Sequence, residues 1–421
     1  MNNFTRVVFI VTLLSCHKVM SQNTFSPYTV FGIGDMYNKS MSHNMGMGEI
    51  GIGTPSVWNI NNMNPALLTA NTLSVFEIGI QGENRTIANE LDEQKAGTAG
   101  YKNLSFAFPV VAGKWTTNFG IAPMSSVNYK FNSNLPIEGS ETEAELTFEG
   151  NGGLTEVNWS NGIRLFKGLS VGIRSSFVFG FTEHSTTSIL SGNVQQFPTT
   201  IVEKTNYSGL KFGFGASYGQ KIGDSGNSLG FGIIYDVAKD LSGDRIVRLE
   251  ADTGGSTVTI GDTLSNRSYT DAFNLPSKLG FGVSWIKDNF LTIGIDVSKS
   301  FWTEDAGFGV DIETYRNTYS AGIGLEITPK YDDVDSYISR IRYRIGFRYE
   351  QQPYIVGGTN IDDIGINFGW SLPIRGVSSL NMAFKFGQRG TTSDNLIKEN
   401  YFKFVIGATI NDRWFVRRKY N

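Results

Sequence analysis

The chain has 421 residues, a formal net charge of −3, one cysteine and three histidines. This charge gives no electrostatic reason to expect nucleic-acid binding, and a single cysteine excludes an internal disulfide. So few histidines leave little material for a metal site, and we expect no cofactor. The 49 glycines and the 13% of aromatic residues instead favour a protein built of many strands.

Residues 1–21 are predicted to be a secretory signal peptide. A basic residue precedes the apolar run 7–14, which is too short to cross a bilayer as a helix, and the small-residue site Val19-Met20-Ser21 follows. We expect cleavage before Gln22. The alternative is a lipobox that would leave Cys16 lipidated at the N-terminus. Either reading sends the chain across the inner membrane.

Residues 22–71 show no alternating pattern and are predicted to form a plug, or hatch. The segment is rich in Gly, Asn and Met, and it has too few large apolar residues to fold alone. Inside a barrel lumen its backbone groups would find polar wall residues as partners. The alternative is a disordered periplasmic leader.

From residue 72 onward the chain divides into segments of roughly ten residues in which apolar side chains alternate with glycine or polar ones. In one of them, Ile293 and Ile295 alternate with Gly294 and Asp296. One apolar and one polar face suit a strand between lipid and a wet lumen, so the pattern predicts an all-β, transmembrane antiparallel β-barrel over residues 72–421. About fourteen strands are predicted, near 72–84, 101–111, 115–130, 146–166, 168–184, 204–220, 227–238, 278–286, 290–300, 316–327, 338–350, 362–372, 378–388 and 400–410.

The connections alternate in length, as expected for a barrel with short periplasmic turns and long outer loops. Short turns such as 112–114 contrast with long loops such as 85–100 and 239–277, and the latter could form a protruding hairpin. One turn on the short side, 328–337, is longer and acidic.

The tryptophans fit the same topology. Four are expected at the periplasmic rim and Trp302 at the outer rim, where indole rings favour the bilayer interface. The four are Trp115, Trp285, Trp370 and Trp414. A soluble sandwich or propeller also explains the alternation, but not the loop lengths or the tryptophan levels.

Pro123 falls inside the third predicted strand. Proline removes a hydrogen-bond donor from the ladder, so strand pairing is expected to break or bulge there. In a barrel wall such a break is a candidate lateral opening from the lumen to the lipid. The alternative is that Pro123 lies above the membrane in a solvated hairpin.

The segment 338–350 carries four alternating arginines, Arg340, Arg342, Arg344 and Arg348. Arginine on the lipid face costs ~2–4 kcal/mol at the bilayer midplane, so all four are expected to point inward. The expected carboxylate partners are Glu326, Glu77, Asp296 and Asp236. Two readings stay open: a structural ion-pair network, or contacts to the carboxylate of an amphipathic ligand.

The chain resembles the FadL-type family of outer-membrane transporters for long-chain fatty acids and other hydrophobic compounds. The residues that carry the resemblance are Asn64, Pro65, Ala66 and Leu67 ahead of the barrel, Gly150-Asn151-Gly152-Gly153 before the fourth strand, and Leu275-Pro276 before the eighth. The resemblance implies a hatch that fills the barrel and a side opening at a kink in the third strand.

Three functions are compared. The first is passive uptake of a hydrophobic or amphipathic small molecule in the outer membrane, with lateral exit at the third strand. The second is a sealed structural barrel that serves as a subunit of an outer-membrane protein assembly or secretion complex. The third, a barrel enzyme, would depend on His184 and Ser185, whose side chains point to opposite faces of a strand, so we expect no enzyme.

Overall fold

The computed structural model describes residues 26–90, 92–136, 143–190, 198–223, 226–251, 266–302, 316–374, 376–393 and 396–414. The predicted signal peptide and Cys16 lie outside these ranges.

The described residues form eighteen strands and a few short helical turns. In chain order the strands are β1 (Asp35–Met36), β2 (Ser74–Ala88), β3 (Glu93–Val111), β4 (Trp115–Pro123), β5 (Ser125–Pro136), β6 (Glu143–Phe166), β7 (Leu169–Leu190), β8 (Thr199–Ile222), β9 (Asn227–Asp236), β10 (Lys239–Ala251), β11 (Asn266–Leu275), β12 (Ser277–Lys287), β13 (Leu291–Phe301), β14 (Thr318–Ile327), β15 (Arg342–Val356), β16 (Thr359–Pro373), β17 (Ser379–Gly390) and β18 (Lys398–Asp412). The helical turns are α1 (Ser42–Met45) and three 3-10 turns at Pro27–Val30, Pro65–Ala70 and Ile338–Arg340. In the part of the chain that the structure describes, no helix is long and apolar enough to cross a membrane.

The strands close into an antiparallel barrel with fourteen strand positions around its wall. We call each position a stave, whether it is occupied by one strand or by two consecutive strands. The first and last staves meet, because β2 pairs with β18 from Ser74↔Asp412 to Ala88↔Lys398. Three staves consist of two consecutive strands each: β4 with β5, β9 with β10, and β11 with β12. The predicted all-β barrel of about fourteen strands is confirmed.

The two faces of the wall differ as the alternation predicts. On β13, Ile295 is 51% exposed whereas the next residue, Asp296, is 1% exposed. The rings of Trp115, Trp285 and Trp370 lie at the short-turn end and are each more than a third exposed. Trp302 directly follows β13 at the end of the long connections, as expected, but its ring packs against a buried cluster around Phe273.

Several strands extend well beyond the length of a membrane crossing on the side of the long connections, where they form a raised wall. β6, β7 and β8 have 24, 22 and 24 residues, whereas a tilted strand crosses a bilayer with about 9–11. β10 and β11 pair as a hairpin in this raised wall, within the region predicted as the loop 239–277. The hairpin also pairs with β8, so it is a continuation of the barrel sheet.

The N-terminal segment, residues 26–71, lies against the inner face of the wall. Its residues 40–53 are buried without interruption. Wall glycines make this possible, because a Cβ on Gly346 would lie 2.1 Å from the backbone nitrogen of Gly48, and one on Gly232 would lie 1.8 Å from the carbonyl oxygen of Ile52. The glycine face that the alternation suggested for a wet lumen is therefore largely occupied by protein backbone.

This close approach predicts that Gly346→Val will destabilise the protein. The valine side chain would overlap backbone atoms of the N-terminal segment, and overpacking of this kind costs about 1–3 kcal/mol or more. The measurement is the free energy of unfolding in urea with the barrel in detergent micelles.

Gly219→Val is the matched control, since a Cβ at Gly219 meets no atom within 4 Å. Equal stability of the two variants would show that the N-terminal segment does not pack against β15 in this way.

Candidate transport cavity and wall gap

The stave made of β4 and β5 is interrupted in the middle. β4 ends at Pro123, which has no N–H to donate to a ladder, and β5 begins at Ser125. β3 pairs with β4 only as far as Leu104↔Ile121. Among the described residues, the part of β3 that precedes Leu104 in the chain therefore pairs with β2 on one side and with no strand on the other.

The facing edge of β5 is paired from inside the barrel. Asp35 and Met36 of β1 pair with Ser126 and Ser125. The N-terminal segment thus replaces, over two residues, the neighbour that β5 lacks in the wall, and a gap is left between β3 and β5.

A cavity of about 170 Å³ occupies this gap. Its lining comes from both edges and from the lumen: Tyr37, Gln81, Gly82, Glu83, Thr98, Ala99, Gly100, Tyr101, Pro123, Ser125, Ser126 and Lys403. Pro123 pairs with Thr155, and Thr155 pairs with Phe179, whose ring is among the exposed apolar side chains of the wall. The gap therefore lies at the level of outward-facing apolar rings.

Tyr101 crosses the gap on its outer side. The side chain is 47% exposed, and its hydroxyl group lies 3.3 Å from Oγ1 of Thr155 on β6. Because β4 would otherwise separate these two strands, Tyr101 covers the end of β4 and narrows the opening.

A larger cavity of about 220 Å³ lies inside, between the upper part of the N-terminal segment and the wall. One side of its lining is apolar and includes Phe31, Ile33, Met124, Phe273, Leu275 and Trp302. A third cavity of about 80 Å³ shares Lys39, Met124 and Lys211 with the larger one and has Pro123 in its wall. The open space beside the N-terminal segment thus borders both the large cavity and the gap.

Carboxylates hold Lys39 and Lys211, two of the cations that line the large cavity. Asp236 accepts from Lys39 at 2.9 Å and from Arg174 at 2.5 Å. Lys211 lies 2.5 Å from Glu156. These buried pairs stabilise the wall beside the gap, since removing one partner would leave an uncompensated charge.

Two further lysines of the cavity form no ion pair with any described residue. Lys102 is 8% exposed, and Lys278 is partly buried. Lys102 lies on the β3 side of the cavity, where a register shift opposite Gly79 and Ile80 turns both Lys102 and Asn103 inward. Sequence reasoning missed Lys102, although two consecutive polar residues before Leu104 are a visible break in the alternation.

The predicted hatch motif sits where the N-terminal segment meets β8. The side-chain amide of Asn64 donates to the carbonyl oxygens of Ile52 at 2.8 Å and of Ala216 at 3.1 Å. Its oxygen accepts from the backbone N–H of Ala66 at 3.0 Å and so caps the 3-10 turn that Pro65 begins. The motif therefore ties two parts of the segment to each other and to the wall.

Two of the predicted arginines lie deep in the lumen wall. Arg344 donates to Glu326 at 2.6 Å and to the hydroxyl group of Ser371 at 2.6 Å. Arg348 is 3% exposed, and its guanidinium group lies 3.6 Å from a carboxylate oxygen of Glu350.

The other two arginines are nearer the end of the barrel with the short turns. Arg342 begins β15 and lies over the ring of Trp58, 5.9 Å from its centroid. Arg340 does not belong to the strand, because it ends a 3-10 turn and lies over the ring of Tyr337. The expectation that all four arginines alternate along one strand is therefore wrong for Arg340.

Glu77 is not a partner of these arginines. Its side chain is fully buried on β2, and the basic side chain that lies within 4 Å of it among the described residues is His43, with 3.9 Å between the carboxylate oxygen and Nδ1. Asp296 likewise holds no arginine and instead accepts the backbone N–H groups of Gly51 and Ile52 at 2.6 and 2.7 Å. The partners come from the N-terminal segment, whose path the strand pattern does not specify.

His184 forms a hydrogen bond within the raised wall: its Nδ1 lies 2.8 Å from the hydroxyl group of Tyr129. Across the described ranges, no group of three or more His, Cys, Asp or Glu side chains comes together that could hold a metal ion.

One protein family matches almost the whole chain. The family model described as BamG matches residues 3–421. No curated protein matches the chain.

Solved structures of similar fold include three channels or channel homologues. One is the toluene transporter TodX of P. putida, with a TM-score of 0.58 and 16% identity over 89% of this chain and 99% of that chain. A FadL homologue of Pseudomonas aeruginosa has a TM-score of 0.55 and 13% identity over 89% of this chain and 98% of that one. The CymD monoaromatic hydrocarbon channel has a TM-score of 0.55 and 15% identity over 88% and 97% of the two chains. The resemblance to FadL-type barrels is confirmed at the level of the fold.

The contact between Asp296 and the N-terminal segment predicts a graded loss of stability. Asp296→Ala would leave two buried N–H groups without an acceptor, at about 1–3 kcal/mol for each. Asp296→Asn keeps one oxygen at the same place and is expected to lose less. The measurement is the midpoint of urea unfolding in micelles, and equal losses for Ala and Asn would contradict the assigned contact.

Proposed function

Because the chain belongs to the BamG family and shares the fold of FadL-type channels, we propose that it is an outer-membrane channel for passive uptake of hydrophobic or amphipathic small molecules. In this proposal residues 22–71 act as the hatch, and the gap at Pro123 is a lateral exit. The observation that carries the proposal is a gap in the wall at the level of the apolar band, beside a half-apolar cavity.

A lateral exit suits an apolar solute. The solute would enter from the outer side, rest against Phe31, Phe273 and Trp302, pass Met124, and leave between β3 and β5 into the outer leaflet. Transfer of apolar surface from water to lipid is favourable by about 25 cal/mol per Å², so no energy source is needed.

The hatch role is supported by how firmly the segment is held. The run 40–53 is buried, and Lys385 of the wall lies 3.0 Å from Glu49 of the segment. A straight aqueous path through the barrel would require this packing to open, whereas the lateral route leaves it in place. General diffusion of polar solutes is therefore not part of the proposal.

The charge at the cavity favours an amphipathic ligand with an anionic group over a fully apolar one. Lys102 and Lys278 have no carboxylate partner among the described residues, so a ligand carboxylate would compensate them. Arg344 is already bound by Glu326, and a structural role suits it better than ligand binding. The ligand contacts expected from the sequence thus move from the arginines to the two lysines.

A second candidate is a sealed barrel that serves as a subunit of an outer-membrane protein assembly. The same continuous burial of residues 40–53 favours it, because a closed lumen is what such a subunit needs. No uptake of any probe, together with stable co-purifying outer-membrane proteins, would select this function.

Gly100→Trp tests the lateral exit. Gly100 lines the gap, and a Cβ there meets no atom within 4 Å, so the indole ring can occupy the opening without disturbing the fold. We expect uptake of N-phenyl-1-naphthylamine and of a pyrene-labelled fatty acid to slow about tenfold, which corresponds to ~1.4 kcal/mol of added barrier. Uptake is followed by fluorescence in cells that lack the native copy.

Gly219→Trp is the control. It adds the same ring in open space near the C-terminal end of β8, away from the gap. Equal uptake by the wild type and Gly100→Trp would contradict the lateral exit. Equal uptake with and without the protein would exclude transport of these compounds altogether.

A further inference from the structure

The turn between β14 and β15 is the longest described turn at the periplasmic end, and it is ordered. The carboxylate of Asp333 accepts from the backbone N–H groups of Ser336 and Asp335 at 3.2 and 3.1 Å. These hydrogen bonds lower the pKa of the Asp333 carboxyl group, which therefore stays charged. The backbone N–H of Lys330 donates to Ser339 at 2.8 Å and closes the turn.

This turn and the next one along the rim expose large apolar side chains to water. Val334 is 90% exposed, Ile338 68% and Ile374 67%. We call the exposed apolar residues of this surface the periplasmic patch: Val57, Tyr331, Val334, Ile338, Ile374 and Val377. Exposed apolar residues that cluster in this way mark interaction sites more often than single ones do.

Hydrogen bonds join the patch into one surface with the underside of the N-terminal segment. The side-chain amide of Asn411 donates to the carbonyl oxygens of Trp58 and Val377, each at 3.0 Å. The hydroxyl group of Tyr337 donates to the carbonyl oxygen of Pro373 at 2.9 Å and ties the two turns together. A partner seated on the patch would therefore touch the hatch segment as well as the wall.

The position and the charge of the patch argue against lipid as its occupant. Ile374 follows the rim residue Trp370 by four residues, and a strand rises about 3.3 Å per residue, so the patch extends past the aromatic rim. Asp332 and Asp335 are exposed beside Val334. Their carboxylates would lose their water in a bilayer, which costs several kcal/mol for each ion.

Charge argues against a second copy of this chain as the occupant, and position argues against its own C-terminal residues. In a symmetric pair of copies the acidic turns would face each other across the two-fold axis and repel. The basic residues after 414 lie outside the described part of the chain, and Trp414 packs against Phe106 of β3, on the side away from the patch.

We propose that the periplasmic patch docks a periplasmic protein whose contact surface has an apolar centre and a basic rim. The apolar residues supply the buried centre of the interface, and Asp332 and Asp335 select a partner of opposite charge and speed its approach. Docking does not depend on transport, so it can hold whether or not the lateral exit conducts.

Site-specific photo-crosslinking in intact cells tests the proposal. A benzoylphenylalanine replaces Val334 or Ile374, and the control replaces Asp288, which is exposed in a short turn at the same end. We expect both patch positions, and not the control, to give an adduct with the same periplasmic protein, identified by mass spectrometry and carrying basic residues at the crosslinked surface.

Charge reversal supplies the second arm. Asp332→Lys with Asp335→Lys leaves Asp333 to hold the turn, and it should lower the adduct yield about fivefold or more, since like charges would then meet. Glu90→Lys with Asp92→Lys makes the same change of charge at the outer end and should leave the yield unchanged. If the reversed turn fails to fold, the two Asp→Asn substitutions give the same comparison.

Several results would overturn the docking proposal. They are adducts with lipid alone, with a second copy or with residues 415–421, no adduct from either patch position, and a yield that charge reversal leaves unchanged. Loss of uptake in Gly100→Trp has no bearing on this result, so the two proposals fail separately.

Discussion

The structure depends above all on the close approach between the backbone of the N-terminal segment and glycines of the inner wall. At Gly346 and Gly232 no side chain of any kind fits, because the segment's own backbone takes the space that a Cβ would need. Backbone brought so near to a wall must have its polar groups satisfied there, and Asp296 does this for two consecutive N–H groups. Glycines of the wall thus give the segment space, and a carboxylate of the wall satisfies its backbone N–H groups.

Most of the buried charges of the lumen are matched. Around the buried segment, charges are matched in pairs such as Glu49 with Lys385 and Glu326 with Arg344, which fixes a single arrangement at a cost in desolvation. The matching is incomplete at the large cavity, where Lys102 and Lys278 form no ion pair with a described residue. In the proposed function, an anionic group of the ligand would compensate these two lysines, which a sealed barrel would leave unpaired.

The sequence predicted the barrel because its strands have a period of two and its turns alternate in length, and both follow from geometry within one strand or between neighbours. It predicted the break at Pro123 for a similar local reason. The contacts of Glu77 and the place of Trp302 could not be predicted in this way, because they depend on a segment that crosses the lumen and meets strands far away in sequence. The assignment of Arg340 to the strand was wrong because alternation alone does not reveal where a 3-10 turn ends and a strand begins.

The start of the N-terminal segment has a consequence for biogenesis. Ser26 is fully buried near the outer rim, where its hydroxyl group donates to Glu399 at 2.6 Å and its N–H donates to Asn128 at 2.9 Å. From there the segment descends to Ser74 at the opposite rim, so its described part runs the height of the lumen, beginning at the end of the long connections. We expect the sheet to curl around this segment during insertion, with the seam between β2 and β18 formed last, since a closed ring would have to be threaded from below.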